Sequence, residues 1–231
     1  MKIKIDDQEI KQYIKRLGSF SNWDLISCQS LSEEFIENNL GNLNWFNVCE
    51  FSTFSEDFIE KYLDKIDWYK ISHYQNLSES FIEKYSNKVH WYNVSWKQKL
   101  SESFVEKYKD KLNWERISRY QKLSERFIEK YKDKVNWRYI SRHQKLSASF
   151  IEKYKDKIHW DAVSIHQELS EEFIEKHEDE VYWDCISMYQ ELSEEFIEKH
   201  IDKVDIDYIL ANQELSESFR NKYKDKIKRS D

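Results

Sequence analysis

The sequence predicts an all-α fold, an elongated and curved α-solenoid of tandem 23-residue helix-turn-helix repeats. Three observations carry that expectation. Tryptophan recurs at Trp23, Trp45, Trp68, Trp91, Trp114, Trp137, Trp160 and Trp183, with one spacing of 22 and six of 23, and Ile206 takes the next slot. A phenylalanine ladder (Phe35, Phe58, Phe81, Phe104, Phe127, Phe150, Phe173, Phe196, Phe219) runs ten residues ahead of the tryptophan slots. Proline is absent and only two glycines occur in 231 residues, which removes the residues that punctuate sheets, hairpins and long loops. A fixed period of roughly 20 to 50 residues marks a stacked array in which each repeat buries its apolar face against its neighbours.

The whole chain, 1–231, reads as one repeat domain. Residues 1–22 form a degenerate N-terminal cap, with Tyr13 and Ile14 in the Phe-Ile register and Gly18 ending the helix. Residues 23–213 are the tandem repeats. Residues 214–231 form a C-terminal capping helix in which Arg220 replaces the usual isoleucine ahead of the charged tail KIKRSD, as suits an end with no further neighbour to cover it.

Within a repeat, the segment LSERFIEKYKDKV places Phe127, Ile128, Tyr131 and Val135 at offsets 0, 1, 4 and 8, on one narrow face of a helix at about 100° per residue. Ser124 is the expected N-cap, Glu125 follows in the first turn, and Leu123 can staple onto Ile128. A helix of about eleven residues is expected from this pattern. The following segment NWRYISRHQ starts from Asn136 and sets Trp137, Ile140, Ser141 and Gln144 at offsets 0, 3, 4 and 7, a second helix of about two turns. Neither would be stable alone. At roughly 8–10 Å between packed helices, nine repeats would make a rod on the order of 80 Å long.

Comparing the copies separates packing positions from free ones. The serines Ser72, Ser95, Ser118, Ser141, Ser164 and Ser187 and the glutamines from Gln75 to Gln213 are expected to satisfy backbone groups in turns or between repeats. A row of serines could suggest nucleophiles, but no acid or histidine recurs at a fixed offset to activate them. No phosphate loop, Rossmann glycine pattern or HExxH occurs, so a non-catalytic protein without cofactor or metal is expected. His143 and His166 share one register and His177 and His200 another, but one repeat apart is about 10 Å, too far to share an ion.

Cys28, Cys49 and Cys185 are an odd number without close pairing, which suits reduced thiols in a cytoplasm. No stretch nears the roughly 20 apolar residues of a membrane span, and the opening MKIKIDDQEI lacks a secretory apolar core. Lys and Arg total 37 against 44 Asp and Glu, a formal charge of −7, which excludes an indiscriminate polyanion binder. Charge is uneven: from Trp91 to Lys145 there are 15 basic and 7 acidic residues, a net of +8, leaving −15 elsewhere. Lysines interleaved through the acidic flanks argue against a nucleic-acid mimic.

Offsets 1, 2 and 5 of the second helix point away from its apolar side and vary in every copy. They assemble a candidate partner-binding set of Tyr69, Lys70, His73, Tyr92, Trp96, Arg116, Arg119, Arg138, Tyr139 and Arg142, rich in the residue types of binding hot spots. Trp96 is the one tryptophan outside the ladder. The expected function is capture of a protein partner through this aromatic and basic face. The alternative is RNA, single-stranded DNA or nucleotide binding by phosphate contacts and base stacking. The plain reading of the same residues is a solvated surface on which charge drifts between copies.

The string of the type LSEEFIEKYKDKVNWxxIS, complete at residues 123–141 as LSERFIEKYKDKVNWRYIS, resembles short tandem repeats of uncharacterised bacteriophage and large-DNA-virus proteins over about residues 31–231. The resemblance implies a viral origin and a binding role, such as blocking a host defence protein. It brings no shared catalytic or ligand residue. The tetratricopeptide pattern fits poorly, because the period is 23 and its small-residue positions are missing.

Overall fold

A computed structural model describes residues 7–18 and 21–224, and among them there are nineteen helices and no strand. After α1 (Asp7–Leu17) two kinds alternate. The tryptophan helices are α2 (Trp23–Ser27), α4 (Trp45–Phe51), α6 (Trp68–Tyr74), α8 (Trp91–Lys97), α10 (Trp114–Tyr120), α12 (Trp137–His143), α14 (Trp160–His166), α16 (Trp183–Tyr189) and α18 (Ile206–Asn212). The phenylalanine helices are α3 (Glu33–Glu37), α5 (Glu56–Lys61), α7 (Glu79–Lys84), α9 (Glu102–Lys107), α11 (Glu125–Lys130), α13 (Ala148–Lys153), α15 (Glu171–Lys176), α17 (Glu194–Lys199) and α19 (Glu217–Tyr223). The chain falls into two compact units, Met1–Ile117 and Ser118–Asp231. In the first, α2 packs on α4, α4 on α6 and α6 on α8. In the second, α12 packs on α14, α14 on α16 and α16 on α18. Each unit is a stack of tandem helical repeats, as an α-solenoid requires.

The phenylalanine helix starts where expected. Ser124 Oγ accepts the amide of Phe127, and the same cap recurs at Ser55, Ser78, Ser101, Ser147, Ser170 and Ser193. It is shorter than the sequence suggests. The α11 segment has six residues rather than about eleven, and Tyr131 leaves helical geometry at φ −115° and ψ 29°. The amides of Lys134 and Val135 then both turn back to the Tyr131 carbonyl, at 2.8 and 3.1 Å. Packing explains the early stop: the equivalent Tyr154 is held against Phe150 at 4.7 Å and Trp137 at 4.9 Å between ring centroids. Apolar spacing of 1, 4 and 8 fits that tight turn as well as it fits a longer helix.

The cores are lined by β-branched residues. Ile36, Ile59, Ile71, Ile82, Val94 and Val105 in the first unit are fully enclosed, as are Ile128, Ile140, Val163, Ile174, Ile186 and Ile197 in the second. Each such burial is worth about 1.5–3 kcal/mol. The phenylalanines are also buried. The tryptophans are not interior, as the ladder suggests, but half-buried in all eight positions. Trp91 stacks on Phe104 at 6.4 Å and Tyr108 at 4.9 Å of the next repeat, with Lys111 Nζ 5.2 Å from its ring. Its Nε1 donates to the Ser86 carbonyl at 3.0 Å. An indole has a polar edge that must reach a partner, and here that edge closes the preceding turn at the rim of the joint.

The constant polar residues tie one repeat to the next. Ser72 Oγ donates to the Trp68 carbonyl at 2.7 Å and accepts the His90 amide of the following repeat at 2.9 Å. Ser164 repeats this with Trp160 and Tyr182. Gln98 Nε2 donates backwards to the Ser72 and Gln75 carbonyls at 3.1 and 2.8 Å, while its Oε1 accepts the Leu77 amide at 2.9 Å. Gln144, Gln167 and Gln190 make the same three bonds in the second unit. Helix ends leave carbonyls without intrahelical partners, and each glutamine satisfies those of its predecessor.

The ends use substitutes. Gly18, at φ 53°, terminates α1 in the left-handed region that favours glycine. Ile10 is the buried anchor of α1, whereas Tyr13 and Ile14 are only half-buried, so the expected register is displaced. Asp7 binds the amide and hydroxyl of Ser32, as Glu56 binds those of Ser78. At the other end the Arg220 guanidinium donates to the Leu210 and Gln213 carbonyls, both at 2.8 Å. Those carbonyls occupy the slots that the next repeat's glutamine would serve. The tail expected beyond the last helix lies outside the described residues.

Candidate functional site

The variable residues of the tryptophan helices do not all face outward. In the first unit, Tyr69 and Tyr92 at offset 1 are 54% and 41% exposed, but Lys70 and Asn93 at offset 2 are buried. A helix in a row has neighbours on both flanks as well as a core beneath. Offset 2 therefore meets the adjoining helix, and Asn93 Nδ2 donates to the Tyr69 carbonyl of the preceding repeat at 3.1 Å. Lys70 must be removed from the exposed set. Its ammonium is ion-paired to Glu50 and lies 3.6 Å from the Phe46 ring centroid, and a cation held so is retained for packing.

Offset 6 takes the vacated place. Tyr74 is 44% exposed, and in the second unit Tyr120 and Tyr189 are 41% and 52% exposed. The helical wheel sets offset 6 about 60° outside the apolar stripe, as far as offset 1 lies on the other side, so periodicity ranks it no lower than the position of Tyr69. Its aromatic content is the signal that was available.

The first unit gathers five of the predicted residues into one aromatic and cationic cluster. His73 meets Trp96 edge-on at 5.1 Å and Tyr74 at 4.4 Å, and stacks on Tyr69 at 6.3 Å. Trp96 Nε1 reaches Asn93 Oδ1 at 3.5 Å, and Lys97 Nζ sits 3.9 Å from the indole. Arg116 lies 4.9 Å over the Tyr92 ring, donates to its hydroxyl, and is 5.8 Å from the Trp96 ring. Trp96 is half-buried, serving as the wall of the cluster, while Tyr69, Tyr92 and Phe46 on α6, α8 and α4 are exposed. Burial, and then the Lys97 charge, hold the His73 imidazole below its ordinary pKa. Its Nδ1 is enclosed without a hydrogen-bond partner.

The second unit holds Arg119, Arg138, Tyr139 and Arg142. Arg119 lies 5.4 Å over Tyr139 and 5.0 Å over Tyr120, and Tyr139 is 6.0 Å from His143. Tyr139 at offset 2 is half-buried; the three arginines are exposed. Arg142 borders a cleft of about 260 Å³ with His143, Lys145, His166 and Glu168. Burial first, then the Arg119 and Arg142 charges and the neighbouring His166, depress the His143 pKa. His166 is depressed by burial and Arg142, against a smaller opposing effect of Asp161.

No group of three metal-binding side chains occurs among the described residues. His177 and His200 stand in the tyrosine register, where they pack on Trp160 at 4.9 Å and Trp183 at 5.2 Å and face Glu152 and Glu175. Cys49 fills the serine slot and is fully enclosed, and its thiol is pushed up to about 11 by burial. Among the described residues no helix is long and apolar enough to cross a membrane. No family model matches the chain, and no curated protein or solved structure matches it.

Proposed function

We propose that the protein is a non-catalytic binding array that captures a protein partner on the tryptophan-helix face of its first unit. One observation carries this reading: Phe46, Tyr69 and Tyr92 stand 56%, 54% and 41% exposed at the same offset of successive helices, beside the His73, Trp96 and Arg116 cluster. Each ring touches a neighbour on one side, Lys70 on Phe46, His90 on Tyr69 and Arg116 on Tyr92, and its exposed part can supply a large rigid contact area at small entropic cost. The constant residues are consumed by repeat-to-repeat bonding, which leaves the face free to vary without loss of fold. The motif's similarity to phage and large-virus repeats supports a host protein as the partner, a defence component among the candidates, and a host cytoplasm as the place of action.

The test is capture from nuclease-treated lysate of the native host by the wild-type chain and by the Tyr69→Ser/Tyr92→Ser variant. A partner retained by the former and lost by the latter, with thermal unfolding unchanged, supports the proposal. Equal capture by both, or loss of capture on nuclease treatment alone, overturns it.

A further inference from the structure

In the second unit, the lysines that end the phenylalanine helices are matched across repeats: Lys153 with Glu129, Lys176 with Glu152, Lys199 with Glu175 and Lys222 with Glu198, at 2.5–3.1 Å. Arg119 and Arg142 are not matched. Neither forms an ion pair among the described residues; Arg119 lies over tyrosine rings, and Arg142 opens into the cleft. Two uncompensated guanidinium groups are thus set beside two histidines on adjacent helices, α12 and α14. In a chain of net charge −7, an unpaired arginine lining a cleft, with a second one close enough to act on His143, is the arrangement to be explained.

We propose that this cleft is a binding site for a small phosphorylated anion, held by Arg142 and by His143 and His166 as they protonate, with Arg119 adding positive charge beside His143. The guanidinium fork matches phosphate oxygens in a way that a lysine point charge does not. A cleft of about 260 Å³ admits a phosphate with part of the group that carries it. Glu168 lies at the lip with Lys145, 3.3 Å apart and both strongly exposed, so the two largely cancel in solvent. The site uses none of the first unit's residues, so its ligand is a different one from the partner proposed above.

The histidines make the site responsive to pH. The groups facing them are Arg119, Arg142 and His166 on His143, Arg142 and Asp161 on His166, and Lys145 and Glu168 around the opening. Burial first, and then the neighbouring arginines, favour the neutral rings when the cleft is free. A bound dianion reverses that preference, so binding takes up protons and tightens as pH falls. Linkage sets the limit at about tenfold in affinity per pH unit for each proton taken up.

The probe is pyrophosphate, added to the full chain at constant ionic strength, with histidine titrations followed by NMR. Pyrophosphate raises the midpoints of His143 and His166 and leaves that of His73, in the first unit, in place. Affinity rises on going from about pH 8 to 6, and R142Q weakens it at least tenfold with unchanged thermal unfolding. Adenosine monophosphate and phosphoserine distinguish the source of the phosphate, the tighter binder identifying a nucleotide or a modified side chain. Midpoint shifts no larger than those given by chloride, equal movement of His73, or full affinity in R142Q overturns the proposal. So does a single-stranded oligonucleotide without terminal phosphate that binds more tightly than pyrophosphate, since a strand would then be the ligand.

Discussion

Replacing Gln167 by alanine tests whether the recurrent glutamines hold the repeats together. Gln167 is 4% exposed; its Nε2 donates to the Ser141 and Gln144 carbonyls, both at 2.8 Å, and its Oε1 accepts the Leu146 amide at 3.0 Å. Gln167→Ala strips three buried backbone groups of partners. Each such group costs about 1–3 kcal/mol when left unsatisfied. Water entering the vacated space returns part of this, so the expected loss is about 3–5 kcal/mol. Urea unfolding followed by tryptophan fluorescence measures it, together with hydrogen exchange of the Leu146 amide, which should lose its protection. Gln167→Glu separates hydrogen bonding from shape. Its carboxylate faces the two carbonyls, which raises its pKa in the folded state, so stability is best at low pH and falls as pH rises through that pKa. A loss below about 1 kcal/mol in the alanine variant, with Leu146 still protected, would refute the reasoning.

Arg220→Ile restores the residue found in most other copies, yet it should destabilise by about 1–2 kcal/mol in chemical unfolding, because the Leu210 and Gln213 carbonyls lose their donors. Ala148 interrupts a series in which a glutamate binds the next serine amide, as Glu125 does Ser147 at 2.5 Å and Glu171 does Ser193 at 2.6 Å. Ala148→Glu should return that contact to Ser170 and raise stability by about 0.5–1.5 kcal/mol, read as a higher denaturation midpoint. Cys49, whose thiol is held near 11 by burial, should resist Ellman's reagent at neutral pH until the chain unfolds. His73, His143 and His166 all have depressed pKa values in the folded protein. Stability is therefore retained above the ordinary imidazole value of about 6.5 and lost as pH falls below it, which pH-dependent urea midpoints would follow.

The ladders made the helical repeat legible because each anchor recurs in the same environment nine times over. The roles of Ser72 and Gln75 were legible for the same reason: a polar residue that stays nearly constant among changing neighbours must answer to the backbone. Helix length was not, since Phe127, Tyr131 and Val135 keep the same spacing whether Tyr131 continues the helix or ends it. The outward face was legible only in part. Tyr69 and Arg142 follow from a helix with one covered side, but Lys70 and Tyr139 are governed by a flank that a single helix's periodicity does not contain. The shared register of His143 and His166 was legible from the 23-residue period, whereas the cleft they border with Arg142 depends on how α12 and α14 pack together.

The contacts of α1 and α19 show how the first and last described repeats are closed. A repeat in the middle of a stack offers its carbonyls to the next glutamine and its first-turn glutamate to the next serine, so every strong backbone contact points along the array. Left open, the last repeat would present unpaired carbonyls and the first an unpaired serine amide, a template for further stacking in the manner of an exposed sheet edge. Asp7 and Arg220 close these two positions with side chains foreign to the repeat pattern. Reopening one end should therefore change self-association and leave ligand binding intact: sedimentation of Arg220→Ile across a concentration series is expected to reveal larger species, with pyrophosphate affinity unchanged. A variant that stays as dispersed as the wild type would show that the Arg220 contact stabilises the last helix without guarding the end.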